Sequence, residues 1–146
     1  MASRILTKGE GYCVQKAVLL AAMGRAMDIP TRLGFARIKN HQMPEGLRRH
    51  LGSNVLPFHG YTEFFLDNNW VKATPAFNIS LCKRNGFVPV DFDGKHDAMF
   101  SPKTSDGELH IEYVADLGHY ADLPITRVWA ALVEAYGSRS LKKLPK

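Results

Sequence analysis

An α+β fold is predicted by three observations: an apolar-periodic helix leads, runs of β-branched and aromatic residues follow with hairpin punctuation, and a second helical run trails. In the leading helix, Cys13 to Met27, the apolar residues Val14, Ala17, Val18, Ala21 and Ala22 recur at helical spacing, and no proline intervenes before Pro30. Thr31 to Ile38 mixes β-branched and aromatic residues and reads as a strand. The segments N-H-Q-M-P-E-G and L-G-S-N-V-L-P carry loop punctuation, so a long, mobile connection is expected there. His59 to Leu66 and Trp70 to Thr74 flank the turn-forming D-N-N, which predicts an antiparallel hairpin stopped by Pro75. Asn78 caps a short helix, Ile79 to Asn85, that Gly86 ends in the left-handed conformation. Cys82 falls inside it. The tract D-F-D-G-K-H-D-A-M-F-S-P-K-T-S-D-G reads as irregular, and Leu109 to Val114 alternates like a strand. Asp122 and Pro124 start the trailing helix, which runs through Val128, Leu132 and Tyr136 to Gly137.

At 146 residues the chain has the size of one domain, read as residues 1–146, and can bury a core without metal or disulfide staples. Its 45% hydrophobic and 23% charged residues place it in the ordinary globular range. The longest apolar run, Ala17 to Met23, is far short of a membrane span, and no apolar stretch follows the N-terminus as in a secretory signal. A cytoplasmic location without membrane contact is therefore the expectation, with Cys13 and Cys82 as reduced thiols. The net charge of +5 raises the possibility of a nucleic-acid partner. Much of the excess lies in Arg139, Lys142, Lys143 and Lys146 and in Arg48, Arg49 and His50. Neither cluster is interleaved with aromatic residues as a base-stacking surface would be, so no nucleic-acid partner is expected.

The chemistry-bearing residue is Cys13, in K-G-E-G-Y-C-V-Q-K-A, where a glycine-rich approach passes into the leading helix. A thiol at a helix N-terminus is stabilised as thiolate by the unspent N–H groups, and an imidazolium beside it adds to the effect. His59, at the start of a strand, can supply that imidazole, so the pair reads as a nucleophile and its base. Gly9 and Gly11 would let the backbone approach a substrate, with the Cys13 N–H directed at a developing oxyanion. The bland alternatives are a small buried thiol and a strand-end histidine satisfied by backbone. Cys82 lacks such a setting and reads as structural. Asp91, Asp93, Asp97, His96, His110, Glu112 and His119 could be assembled into a metal list, and H-I-E echoes the zinc deaminases. The accompanying P-C-x-x-C is absent and D-F-D-G lacks calcium-loop spacing, so these residues read as a solvated acidic loop, with no metal or cofactor expected.

G-Y-C-V-Q-K-A with its helix and D-I-P-T-R, followed by H-G-Y-T-E-F-F-L-D-N-N-W-V-K-A-T-P, resembles the transglutaminase-like superfamily over roughly Ala2 to Asn78. The tract from D-F-D-G through H-I-E-Y-V is similar to bacterial members of unassigned substrate. The resemblance implies a papain-like fold, with the cysteine helix packed on an antiparallel sheet. It implies Cys13 as nucleophile, His59 as base and Thr74 where the family usually carries aspartate. Tyr61 stands in place of the more usual tryptophan. Further implied are helical sequence upstream of Cys13, which this chain is expected to lack, and a peptide or protein amide as substrate. The expected reaction is acyl transfer, by an amidase or peptidase or by a transglutaminase, with hydrolysis slightly favoured. A catalytically silent module that binds peptides or proteins is the alternative, and a metal-dependent hydrolase a more distant one. A neutral third member is compatible with cysteine chemistry, as the Cys-His-Asn arrangement illustrates. Placing Asn68 and Asn69 at the hairpin turn sets Thr74 opposite Glu63, about 13 Å along the strand from His59. On that register a bulge, or Asp91 or Asp93 as third member, is required. Glu63, Trp70 and Tyr61 are expected to shape the cleft wall.

Overall fold

The computed structural model describes residues 2–141; the side chain of Arg139 and the whole of Lys142, Lys143 and Lys146 lie outside the described part. The elements follow in the order α1 (Ala2–Lys8), α2 (Cys13–Ala26), β1 (Thr31–Asn40), α3 (Glu45–Leu51), β2 (Val55–Leu66), β3 (Asn69–Ala73), α4 (Ile79–Asn85), β4 (Ile111–Tyr120) and α5 (Ile125–Leu141). The four strands form one antiparallel sheet in the order β3-β2-β1-β4. The architecture is therefore α+β, with the helix that carries Cys13 packed on the sheet.

Side chains alternate across each strand, which gives the sheet two differently covered faces. On one, Leu33 and Phe35 of β1 pack with Ala17 and Ala21 of α2 and Val128 of α5. Thr62 donates its hydroxyl to the Ala17 carbonyl at 2.8 Å, so α2 is tied to β2 by a buried polar contact as well as by apolar packing. On the other face, Ala36, Ile38, Tyr61 and Ile111 are sealed by Phe100, with Phe77, Val90 and Met99 against them. The cover there is the irregular stretch that follows β3.

Local signals account for most boundaries. Gln15 accepts the Tyr12 N–H at 2.9 Å at the start of α2, and the N–H groups of Met27 and Ile29 return to the Gly24 carbonyl at its end. Asn78 accepts the Leu81 N–H at 2.8 Å and Gly86 adopts φ 67°, so α4 begins and ends where its caps predict. In α5 the backbone leaves helical values at Gly137, with φ 71° and ψ 150°.

Three expectations are corrected. The connection after β1 is not a plain loop: Glu45–Leu51 is helical, begun after Pro44, closed by Gly52 at φ 69°, and braced by Arg48 on Glu45 at 2.6 Å. Strand β2 starts at Val55, and Pro57 is accommodated because the β1–β2 register shifts there, between the pairs Ala36↔His59 and Ile38↔Leu56. The hairpin turns on Asp67 and Asn68, both left-handed at φ 47° and 63°, rather than on Asn68 and Asn69. Leu66 therefore faces Asn69 and Glu63 faces Lys72, which moves Thr74 two positions closer to His59 than expected.

Candidate active site

Cys13 is the first residue of α2, with Tyr12 as its extended N-cap. Its thiol is half-buried, and the main-chain N–H groups of Gly60 of β2, of Val14 and of Cys13 itself each draw its pKa down. Gly60 makes the close approach of α2 to β2 possible, because a Cβ there would lie 2.9 Å from the Val14 Cα. No spacing argument singled Gly60 out. Gly9 and Gly11, expected to open the way to substrate, have different local settings. Gly9 turns the chain at the end of α1 with φ 71°, and a Cβ on Gly11 would press within 3.3 Å of Ile5 and Gln15.

The thiol's electrostatics run against the sequence-based expectation. Burial pushes the Cys13 thiol up, and that effect exceeds the opposing pull of the three N–H groups and of Lys16. The Lys16 ammonium is directed to the Ala76 carbonyl, at 2.8 Å, rather than to the sulfur. In the resting chain the thiol is therefore protonated at neutral pH.

His59 is 1% exposed and shares its face of β2 with Tyr61 and Glu63. Its Nε2 lies 2.9 Å from the Thr74 Oγ1. Thr74 reaches it because the chain leaves β3 after Ala73, with the Thr74 N–H held by the Ala98 carbonyl at 2.9 Å. The Phe100 ring packs on the imidazole at 5.0 Å between centroids, and Tyr113 meets it edge-on at 6.4 Å. This apolar box depresses the His59 pKa to about 4, so the ring is neutral at rest. Asp93 is not its partner: that carboxylate is engaged by the His96 ring at 2.7 Å and by the Lys95 and His96 N–H groups.

The structure thus brings His59 and Thr74 into direct contact and seats Cys13 on the residue after His59. No hydrogen bond joins the sulfur to the ring. Tyr113 is their common neighbour: it packs on His59, and its phenol, pushed up to about 12 chiefly by burial, also feels the charge a Cys13 thiolate would carry. Phe100 and Tyr113 come from the tract beyond β3, where the sequence carries no cue to their placement.

Glu63, read as wall, is buried and ion-paired with Arg32, with the His119 Nδ1 at 3.6 Å, while Arg32 stacks 4.1 Å from the Trp70 ring. Tyr61 lies over Gly34, where an added Cβ would meet its ring at 2.2 Å. The residues of the metal list are dispersed: His96 pairs with Asp93, Glu112 with His41, and His110 stacks on Phe87 with Phe77 beside them both. Among the described residues no three histidine, cysteine or acidic side chains converge on one point. No helix of the described part is long and apolar enough to cross a membrane.

No curated protein and no solved structure matches the chain. The family model of the transglutaminase-like superfamily matches residues 1–75, a span that includes Cys13, His59 and Thr74. With the cysteine helix on an antiparallel sheet and a family match over half its length, the chain belongs to the transglutaminase-like superfamily.

Proposed function

We propose that this protein is a cysteine-dependent acyl-transfer enzyme acting on amide bonds of peptides or proteins, with Cys13 as nucleophile, His59 as base and then acid, and Thr74 holding the imidazole. The 2.9 Å contact between His59 and Thr74, on a chain whose one partly accessible thiol stands at the first residue of α2, is the observation that carries this reading. When the His59 Nε2–H is donated to the Thr74 hydroxyl, Nδ1 keeps its lone pair for the thiol proton. The sulfur then bonds to the amide carbon, and N–H groups of the first turn of α2 stabilise the oxyanion. Collapse breaks the C–N bond, His59 returns the proton to the leaving amine, and a thioester remains. His59 next takes a proton from water, or from an amine, as that acceptor attacks and frees Cys13. Water is the acceptor we favour, which makes the protein an amidase or peptidase before a transglutaminase.

Because both groups rest uncharged, the proton moves during attack rather than beforehand. The same resting neutrality favours a second reading, a silent module that binds peptides without reacting. Acylation by p-nitrophenyl acetate separates the two. The enzyme reading expects a burst of p-nitrophenolate stoichiometric with protein, lost in Cys13→Ala and slowed about a hundredfold or more in His59→Ala. Acylation of Cys13 at the rate of free cysteine, unchanged by His59→Ala, would assign the silent module instead.

A further inference from the structure

The face of β2 that carries His59 also borders a cavity of ≈ 370 Å³, lined in part by Ala36, Tyr61, Lys72, Asp97, Tyr113 and Asp116. Three of its lining residues neighbour His59: Ala36 is its register partner, Tyr61 is the next residue on the same face, and Tyr113 meets the ring edge-on. Its floor is firm, since the Tyr61 ring lies directly on Gly34.

The polar lining is unequal in charge. Asp97 accepts the Lys72 N–H at 2.9 Å and Asp116 accepts the Gly118 N–H at 2.7 Å, each through Oδ1. Neither second oxygen has a hydrogen bond or ion pair among the described residues. Lys72 places its ammonium 5.8 Å from the Tyr61 ring centre and likewise forms no ion pair there. Two carboxylates against one ammonium leave the cavity net negative in a chain whose net charge is +5. The Tyr61 phenol registers that field: burial raises its pKa most, and Asp116, Glu63 and Asp97 raise it further.

We propose that this cavity receives the cationic end of a lysine- or arginine-like side chain, its charge facing Asp97 and Asp116 and its alkyl stem lying on Tyr61. The charge and shape of the cavity carry the ligand chemistry by themselves. That the bound side chain selects the substrate rests on the reading of Cys13 and His59 as the reacting pair. Lys72 opposes the incoming cation and so limits its affinity, which fixes the sign of each substitution.

The test is a titration of the Cys13→Ala protein, followed by amide NMR, with Nα-acetyl-lysine methylamide and its norleucine and glutamate analogues. The lysine probe should shift Ala36 and the Tyr113 to Asp116 segment, with norleucine binding about tenfold more weakly or worse. Asp97→Asn and Asp116→Asn, which keep the oxygen that accepts the backbone N–H, should each weaken the lysine probe about fivefold, and Lys72→Met should tighten it. Equal binding of norleucine, indifference to both asparagine variants, or preference for glutamate lost in Lys72→Met would each overturn the proposal. Kinetics on the native chain then locate the source of the cation. A higher kcat/KM for peptide amides carrying lysine rather than norleucine beside the attacked bond places it in the acyl donor. Faster acyl release with added alkylamine places it in the acceptor. Binding to Cys13→Ala with neither kinetic effect overturns the claim that the bound side chain selects the substrate, while the burst of p-nitrophenolate decides the catalytic reading separately.

Discussion

Thr74→Asp restores the carboxylate that the family usually carries, and the structure fixes both the direction and the scale of its effect. Native His59 is depressed from the ordinary 6.5 to about 4 by burial alone. A carboxylate in place of the Thr74 hydroxyl, now 2.9 Å from Nε2, would favour the imidazolium. Two unit charges about 4 Å apart at an effective dielectric near 20 attract by about 4 kcal/mol, equivalent to about 3 pKa units. The variant's His59 should therefore titrate in the range of an ordinary histidine, or somewhat below it once the desolvation of the new carboxylate is deducted.

The same shift sets a stability slope. Native His59 has a folded pKa below its unfolded one, so the unfolded chain takes up a proton first as pH falls from 6.5 towards 4. Stability is lost through that window, by roughly 3 kcal/mol when the ring is the sole contributor. His110 is also pushed down by burial and steepens the loss. Imidazole ¹⁵N–¹H NMR across the acid range follows the ring, and urea unfolding at two pH values follows the linkage. Thr74→Val is the control: it keeps the shape, removes the hydroxyl partner and should cost about 1–3 kcal/mol without raising the His59 pKa. Native His59 titrating near 6.5, or Thr74→Asp leaving it unmoved, would refute the assignment of burial and Thr74 as the two groups governing this ring.

Two further outcomes are expected. The midpoint for Cys13 alkylation by iodoacetamide should lie above that of a free cysteine, because burial is the largest influence on the thiol; a midpoint well below neutral would mean a preformed thiolate–imidazolium pair. Gly60→Ala should destabilise the fold by about 1–3 kcal/mol and alter Cys13 reactivity, since its methyl would fall 2.9 Å from the Val14 Cα and displace the start of α2. Chemical denaturation and the alkylation rate measure the two effects, and unchanged values in both would show that α2 is not seated through Gly60.

What could be read beforehand follows the range of the interactions concerned. Helix α4 was legible to the residue because Asn78 and Gly86 act on their own neighbours. The placing of Cys13 at a helix start and of His59 on a strand was legible from local setting. The hairpin register was not, because D-N-N can be divided into a two-residue turn in two ways. Packing decides between them: Val71 buries opposite Phe64, and Trp70 stacks on Phe65 at 5.2 Å. Helix α3 has end signals in Pro44 and Gly52 but only seven residues, too few for a periodicity to stand out. Phe100 and Tyr113 reach His59 from distant parts of the chain, so the apolar box and the acid range it imposes on the ring are consequences of tertiary structure.

A neutral partner for His59 fits this box for an electrostatic reason. Thr74 is 4% exposed and His59 1%, and an ionised carboxylate there would need hydrogen-bond donors to offset its lost hydration. The nearby Thr74 N–H is already committed to the Ala98 carbonyl. Glu63, on the same face of β2, shows what a buried carboxylate requires in this sheet: Arg32 pairs with it and His119 approaches it. A hydroxyl needs no such retinue, and it still gives Nε2 a partner. On the catalytic reading proposed above, the consequence is a site that keeps its sulfur protonated until an amide carbonyl is in reach, so that stray electrophiles meet a thiol and substrate meets a nucleophile.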